Sequence, residues 1–250
     1  MSTMNDFEIG SGFGFSGAII DELEASEYTL ATIAIDVSGS VHSFADQLKE
    51  MLKAAVGACA TSPYSQNLLV RVIQFSSMYG HGSGGGVDEI HGFKALSEID
   101  IDAYPDLAPG GGTPLYDALY SGVGAANTYA QQLVDLDFAV NGITFVITDG
   151  YENTSVATAK MVKDELEASV QGEVMESHYS VLIGVGSGSG SVSGALKQVK
   201  DEVGIDQFIW AGEATKGKLA KLAQFVSQSI SSTSQALGTG GPSQQISATI

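Results

Sequence analysis

"IAIDVSGSV", residues 33–41, places an aspartate and two serines directly after an apolar run. The run is typical of a buried strand, and Asp36, Ser38 and Ser40 follow it at alternate positions. In a turn between a strand and a helix, this spacing lets one carboxylate and two hydroxyls converge on one point. The stretch therefore predicts a strand that ends at an oxygen-rich site.

Short apolar runs alternate with helix-forming segments along most of the chain. The predicted strands are 29–35, 68–75, 143–147, 179–185 and 208–210, and the predicted helices are 42–60, 114–133, 156–170 and 215–229. This alternation indicates an α/β fold with three layers and a doubly wound, mostly parallel sheet. The run 87–93 follows 68–75 across a glycine-rich loop, which predicts a hairpin whose second strand is an antiparallel edge strand.

Length and composition favour one domain. The chain has 250 residues, 44% of them hydrophobic, which is enough to bury a full core. Residues 1–27 are rich in glycine, serine and acidic residues, so we expect an N-terminal extension that is loosely ordered or packed along the domain edge. The domain is expected over residues 28–235, and residues 236–250 have the composition of a flexible tail.

Charge and cysteine content exclude several classes of partner. The chain has 29 acidic and 11 basic residues and a formal charge of -18, which disfavours nucleic acid and anionic lipid and is compatible with cations or a basic protein. Cys59 is the only cysteine, so an internal disulfide or a zinc cluster is not expected. No signal-peptide pattern and no apolar run of about 18 residues occurs, so we expect no membrane association and a cytoplasmic location.

Polar residues that follow apolar runs mark the candidate site, because ligands of open α/β sheets bind beyond the carboxyl ends of the strands. Asp149 follows a strand in "ITDGYENTS" and Thr113 opens a helix in "PGGGTPLYDAL"; Asp36, Ser38 and Ser40 complete the set. All five offer hard oxygen ligands, which suit Mg²⁺ or Mn²⁺. Two carboxylates balance a divalent charge and three hydroxyls add none, so the ion stays able to accept an outside carboxylate.

Each of these residues also has an ordinary structural explanation. Ser40 is well placed to cap a helix, Thr113 with Pro114 is a common helix start, and Asp149 with Gly150 is a common turn. Their shared position at the strand ends favours a common site over separate roles.

"DVSGS", "GGGTPLYDAL" and "ITDG", in that order at strand ends, resemble the von Willebrand factor type A (vWA) domain and its metal ion-dependent adhesion site. The resemblance covers roughly residues 28–235. It implies a Mg²⁺ ion held by Ser38, Ser40 and Thr113, with Asp36 and Asp149 binding it directly or through water. It also implies a non-catalytic domain that binds a protein partner through that partner's Asp or Glu.

The same motifs are similar to those of bacterial A-domain proteins of the tellurium-resistance and stress type, and of proteins that work with MoxR-like AAA+ ATPases. The resemblance therefore implies an adaptor role in such a system. An alternative of a different class is a structural component of a phage or multiprotein assembly.

Enzyme alternatives fit the motifs less well. A haloacid dehalogenase-type phosphohydrolase also places an Asp after its first strand and uses Mg²⁺, but it needs a second carboxylate where this chain has Ser38. Ser38 also lacks the first glycine of a serine hydrolase's nucleophile turn. We expect a protein that is not an enzyme, with a Mg²⁺-dependent phosphohydrolase as the weaker alternative.

Overall fold

The computed structural model describes residues 4–20, 23, 25–79, 85–171, 174–186 and 190–238. The strands are β1 (Met4–Ile9), β2 (Phe13–Ala18), β3 (Glu27–Asp36), β4 (Leu68–Phe75), β5 (Val87–Ala95), β6 (Ala139–Thr148), β7 (His178–Val185) and β8 (Gln207–Gly212). The helices are α1 (Ala45–Cys59), α2 (Leu115–Val134), α3 (Ala159–Gln171), α4 (Gly190–Val203) and α5 (Lys216–Gly238).

The strands form one sheet in the order β1-β2-β5-β4-β3-β6-β7-β8. Neighbouring strands pair in parallel except β1 with β2 and β4 with β5. The expected α/β class with a mostly parallel sheet is therefore confirmed. Asp36 pairs with Phe75 of β4, and Ile35 pairs with Ile147 of β6, so these three strands end at the same edge.

Helices cover both faces of the sheet. Alternate β3 residues point to opposite sides: Ile33 and Ile35 pack in the core with α1 and α5, whereas Leu30 and Ala34 pack in the core with α2, α3 and α4. This burial on both faces explains why the central strands are mostly apolar. β3 lies between β4 and β6, so the direction in which strands are added to the sheet reverses at β3. In open α/β sheets, such a reversal opens a crevice at the carboxyl ends of the strands.

The N-terminal segment adds two strands that the sequence did not predict. β2 pairs with β5 at Gly17 and Phe93, and β1 lies outside β2. β5 is antiparallel to β4 as predicted, but the prediction that it forms the sheet edge is wrong, because β2 covers it. Phe7, Phe13 and Phe15 fill this end of the core. The alternate spacing of Phe7 with Ile9 and of Phe13 with Phe15 is the strand signal that the glycine-rich composition obscured.

The predicted helices are present: the ends of α1, α2 and α3 differ from the prediction by one to three residues, whereas α5 extends nine residues further at its C-terminal end. A short 3-10 turn, Gly39–Ser43, precedes α1, so the α-helix begins three residues later than predicted. α5 continues to Gly238, which makes residues 236–238 of the predicted tail helical, and residues 239–250 lie outside the described residues. None of the helices in the described part of the chain has the length and apolar character of a membrane span.

Candidate metal centre

Three loops at the carboxyl edge of the sheet bring the five predicted residues together. Asp36 is the last residue of β3, and Ser38 and Ser40 lie in the turn that follows. Thr113 lies two residues before α2, and Asp149 directly follows β6.

A line of oxygen atoms connects the first loop to the third. The Ser38 and Ser40 hydroxyl oxygens lie 3.0 Å apart, and Ser40 Oγ donates to Asp149 Oδ1 at 2.5 Å. Asp36 and Ser38 are buried at the base of this line, whereas Ser40 is exposed and Asp149 is half-buried. The cluster therefore opens to solvent at Ser40 and Asp149.

Asp36 is fully buried and held at both oxygens. The backbone N–H of Ser38 donates to Oδ1 at 2.7 Å, and the hydroxyl of Thr148 donates to Oδ2 at 2.5 Å. Burial raises the pKa of Asp36 to about 6; these hydrogen bonds oppose the rise, and the charge of Asp149 adds to it. Burial also raises the pKa of Asp149, against the hydrogen bond from Ser40.

Thr113 is fixed beside the third loop. Its N–H donates to Asn153 Oδ1 at 2.8 Å, and Asn153 N–H donates to its carbonyl at 3.2 Å. A Cβ on Gly150 would stand 2.9 Å from Thr113 Oγ1, so the hydroxyl lies against the residue next to Asp149. Any residue other than glycine at position 150 would therefore require Thr113 to move.

The second loop is also joined to the first. Gly39, which lies between the two serines, donates its N–H to the carbonyl of Gly111 at 3.1 Å. Gly111 has a φ of 68°, in the left-handed region that glycine adopts without strain. The glycine run before Thr113 therefore lets the second loop approach the serines closely.

The two carboxylates, Asp36 and Asp149, have no cationic partner among the residues that the structure describes. Within the same described residues, no group of three or more His, Cys, Asp or Glu is placed to hold a metal. Hydroxyls would have to supply part of any ligand set. Hydroxyl and carboxylate oxygens suit Mg²⁺, and the 3.0 Å between the serine oxygens matches the edge of an octahedron with bonds of about 2.1 Å. The residues therefore fit a small divalent cation.

Further residues that stabilise the site were only partly visible in the sequence. Asn153 holds the third loop through its two hydrogen bonds with Thr113. Glu152 does the same by accepting the N–H groups of Tyr116 and Ser155, both at 2.9 Å. Thr148 was not predicted as a site residue, because the sequence does not show that a threonine at the end of one strand contacts an aspartate at the end of another.

Asp117 was also missed. It is buried in the first turn of α2 and accepts the backbone N–H groups of Val156, Ala157 and Gly86 at 2.9, 2.7 and 2.9 Å. These bonds anchor the loop that carries Asp149 to the helix that follows Thr113.

No protein-family model and no curated protein matches the chain. Among solved structures, the PilB minor pilin from Streptococcus sanguinis is 15% identical, with a TM-score of 0.59 over 89% of this chain and 65% of its own. The pilus adhesin SpaC from Lactobacillus rhamnosus GG is 11% identical, with a TM-score of 0.61 over 92% of this chain and 33% of its own. A von Willebrand factor type A protein from Catenulispora acidiphila is 14% identical, with a TM-score of 0.54 over 92% of this chain and 50% of its own.

These similarities establish a vWA-like fold. The chain spans about two thirds of the pilin, half of the vWA protein and one third of the adhesin.

Proposed function

We propose that this protein is a metal-dependent protein-interaction module. Mg²⁺, or Mn²⁺ in its place, is held by Asp36, Ser38, Ser40, Thr113 and Asp149, and an Asp or Glu of a partner completes its ligands. The observation that carries the proposal is the buried carboxylate of Asp36, which faces hydroxyl groups and a second carboxylate with no ion pair from the described part of the chain.

The five proposed ligands have different roles, which follow from their charge and their exposure. Asp36 and Asp149 balance the ion's two charges, whereas the three hydroxyls bind without adding charge, so the bound ion retains its affinity for another anion. Ser40 is exposed and Asp149 is half-buried, which leaves the solvent side accessible to a partner's carboxylate. The hydrogen bonds of Thr148 and Asn153 hold Asp36 and Thr113 in place.

No acid or base positioned for catalysis is part of the proposal. Ser38 occupies the place where a phosphohydrolase of this type needs its second carboxylate, so the protein is proposed not to be an enzyme. The sequence resemblance extends the proposal to an adaptor for a stress or tellurium-resistance system or a MoxR-like ATPase, in the cytoplasm.

A second candidate is a structural or adhesive component of an assembly. Two of the similar structures are a minor pilin and a pilus adhesin, which favours this candidate over the adaptor and would place the protein at a cell surface. Fractionation of native cells separates the two, because an adaptor is recovered with the cytosol and an assembly component with surface structures.

The metal site is tested by calorimetric titration of MgCl₂ into the wild-type protein and into Asp36→Ala and Thr113→Ala. We expect both variants to lose Mg²⁺ affinity by about 100-fold or more, since removing groups that only support ligands already costs 10 to 100-fold. Asp164→Ala is the matched control, because Asp164 lies on the surface of α3 and pairs with Lys160. Unchanged Mg²⁺ affinity in both variants, with folding verified by circular dichroism, would refute the site.

Partner binding and enzymatic activity are tested separately. Partner capture from native cells is expected to be lost in EDTA and in both metal-site variants. Release of phosphate from an aryl phosphate in a Mg²⁺-dependent manner would support the phosphohydrolase instead.

A further inference from the structure

Large exposed apolar side chains concentrate around the candidate metal centre. Within the described residues, four large hydrophobic side chains are strongly exposed, namely Met78 at 58%, Leu136 at 54%, Tyr151 at 44% and Val156 at 71%. Three of them lie in loops that build or contact the centre, and Leu136 lies beyond the far end of α2. Single exposed hydrophobic residues are ordinary, but three around one site indicate a binding surface.

Met78 lies on the glycine run of the second loop. Its N–H donates to Ser76 Oγ at 3.2 Å, and its side chain covers Gly110 so closely that a Cβ there would overlap the sulfur. Gly110 donates its N–H to the carbonyl of Val37 at 2.9 Å, the residue between Asp36 and Ser38. Met78 is thus linked to the first loop through a single glycine.

Tyr151 and Val156 belong to the third loop. Tyr151 lies two residues after Asp149, and its hydroxyl donates to Ser191 Oγ at 2.9 Å. Val156 donates its N–H to the buried Asp117 at 2.9 Å, yet its side chain is 71% exposed. Val156 is therefore exposed apolar surface on an anchored backbone, and Tyr151 is held through its hydroxyl group. Neither side chain contributes much to the core.

The chemistry of the surface selects one kind of occupant. With a formal charge of -18, a second copy of the chain would be repelled, and an anionic membrane surface would be repelled as well. Met and Tyr are side chains that protein interfaces prefer over the rest of the surface. A partner segment that complements this surface has apolar side chains beside the carboxylate and little other negative charge.

We propose that Met78, Tyr151 and Val156 form an apolar rim that determines which partner carboxylates dock at the metal. The rim takes a polypeptide segment in which one Asp or Glu is flanked by apolar side chains. This inference rests on the proposed metal-dependent function, since the carboxylate needs the ion. The rim adds selectivity: a carboxylate among polar residues meets the same metal but loses the apolar contacts.

The test uses a displayed library of random dodecapeptides, selected on the full chain in MgCl₂ and counter-selected in EDTA. Enriched peptides are expected to contain an Asp or Glu with apolar residues beside it. Met78→Ser, Tyr151→Ser and Val156→Ser, combined in one variant, are expected to bind these peptides about tenfold more weakly or worse, while calorimetry gives unchanged Mg²⁺ affinity. Leu136→Ser is the control for removal of an exposed apolar side chain and should bind as the wild type does.

The outcomes separate the two proposals. If no peptide is enriched in a Mg²⁺-dependent manner, the proposed function fails and the rim fails with it. If enriched peptides carry an acidic residue among polar neighbours, or if the triple variant binds them as the wild type does, the metal site stands and the rim is overturned.

Discussion

Two buried charged residues in this protein differ in whether a residue of opposite charge lies beside them. Arg71 on β4 and Asp36 on β3 are both fully shielded from solvent, and their strands are neighbours in the sheet. The chain supplies Arg71 with a carboxylate, whereas it supplies Asp36 with N–H and O–H donors and no cation within the described residues.

Arg71 lies in a complete network. Its Nε donates to Glu89 Oε1 at 2.7 Å, and its two terminal nitrogens donate to the carbonyl and hydroxyl of Ser121, both at 3.1 Å. The other oxygen of Glu89 accepts the N–H and hydroxyl of Ser16 at 3.0 and 2.6 Å. The network thus joins β2, β4, β5 and α2 and balances its own charge.

Asp36 is held as firmly, but no cation in the described part of the chain balances its charge. Its pKa is raised to about 6 mainly by burial, which means that the folded chain destabilises the charged carboxylate. The Arg71 site is therefore internal structure, whereas the unbalanced charge of Asp36 is the reason for the proposal that a cation binds there from outside. A buried carboxylate without a cation is costly unless something compensates it, and a metal ion is the compensation that the surrounding oxygens fit.

The largest change in the free energy of unfolding is expected when Arg71 is replaced. Arg71→Met removes the cation and leaves Glu89 and Ser121 with unmatched groups, so the free energy of unfolding should fall by about 3 kcal/mol or more. Urea denaturation in EDTA measures this loss. The control is Lys160→Met, in a pair whose side chains are 81% and 55% exposed, which should change stability by less than about 0.5 kcal/mol.

Addition of Glu89→Gln to Arg71→Met should recover part of the loss, because the second change removes the stranded charge. A loss below about 1 kcal/mol for Arg71→Met alone would show that the network is not a balanced structural unit.

His178 is a third buried ionisable group, and it is neutral at pH 7 because burial lowers its pKa. Burial lowers its pKa to about 4, with the charge of Asp206 opposing the shift, and Nε2 lies 3.0 Å from Thr144 Oγ1. The unfolded chain binds a proton near pH 6.5 and the folded chain only near pH 4, so stability is full above pH 6.5 and is lost as the pH falls through this window. The loss should reach about 3 kcal/mol near pH 4.

The pH dependence is measured by urea denaturation between pH 7 and pH 4. Burial likewise lowers the pKa of His91 to about 4, so His178→Gln should remove only part of the slope. An equal slope in His178→Gln and the wild type would contradict the assignment.

The smallest effect is expected when Asp36 is changed without metal. In Asp36→Asn, the amide oxygen still accepts the Ser38 N–H and no opposite charge is stranded, so in EDTA the free energy of unfolding should stay within about 1 kcal/mol of wild type. Added Mg²⁺ should then stabilise the wild type, by about 2.7 kcal/mol at 100 times its dissociation constant, and leave the variant unchanged. If Asp36→Asn destabilised the metal-free protein as much as Arg71→Met does, the contrast between the two sites would be wrong.

Much of the fold was predictable because it depends on local patterns. Apolar runs predicted β3, β4, β6, β7 and β8, the glycine-rich loop after β4 predicted that β5 forms a hairpin with it, and the helix-forming segments between strands predicted α1, α2, α3 and α5. The edge was mispredicted because β1 and β2 owe their place to distant contacts, such as those of Ser16 with Glu89 and of Tyr129 with Ala18. The local alternation of Phe13 and Phe15 can indicate a strand, but it does not show where in the sheet that strand lies.

The sequence by itself determined the residue types of the candidate site and the strand ends at which they lie, because both are local properties of "DVSGS", "GGGTP" and "ITDG". Only the tertiary structure decided that Ser40 meets Asp149, that Thr148 holds Asp36, and that the lone arginine is matched to Glu89 and not to Asp36. These are contacts between side chains far apart in the chain, and their distances depend on the register and packing of the whole sheet.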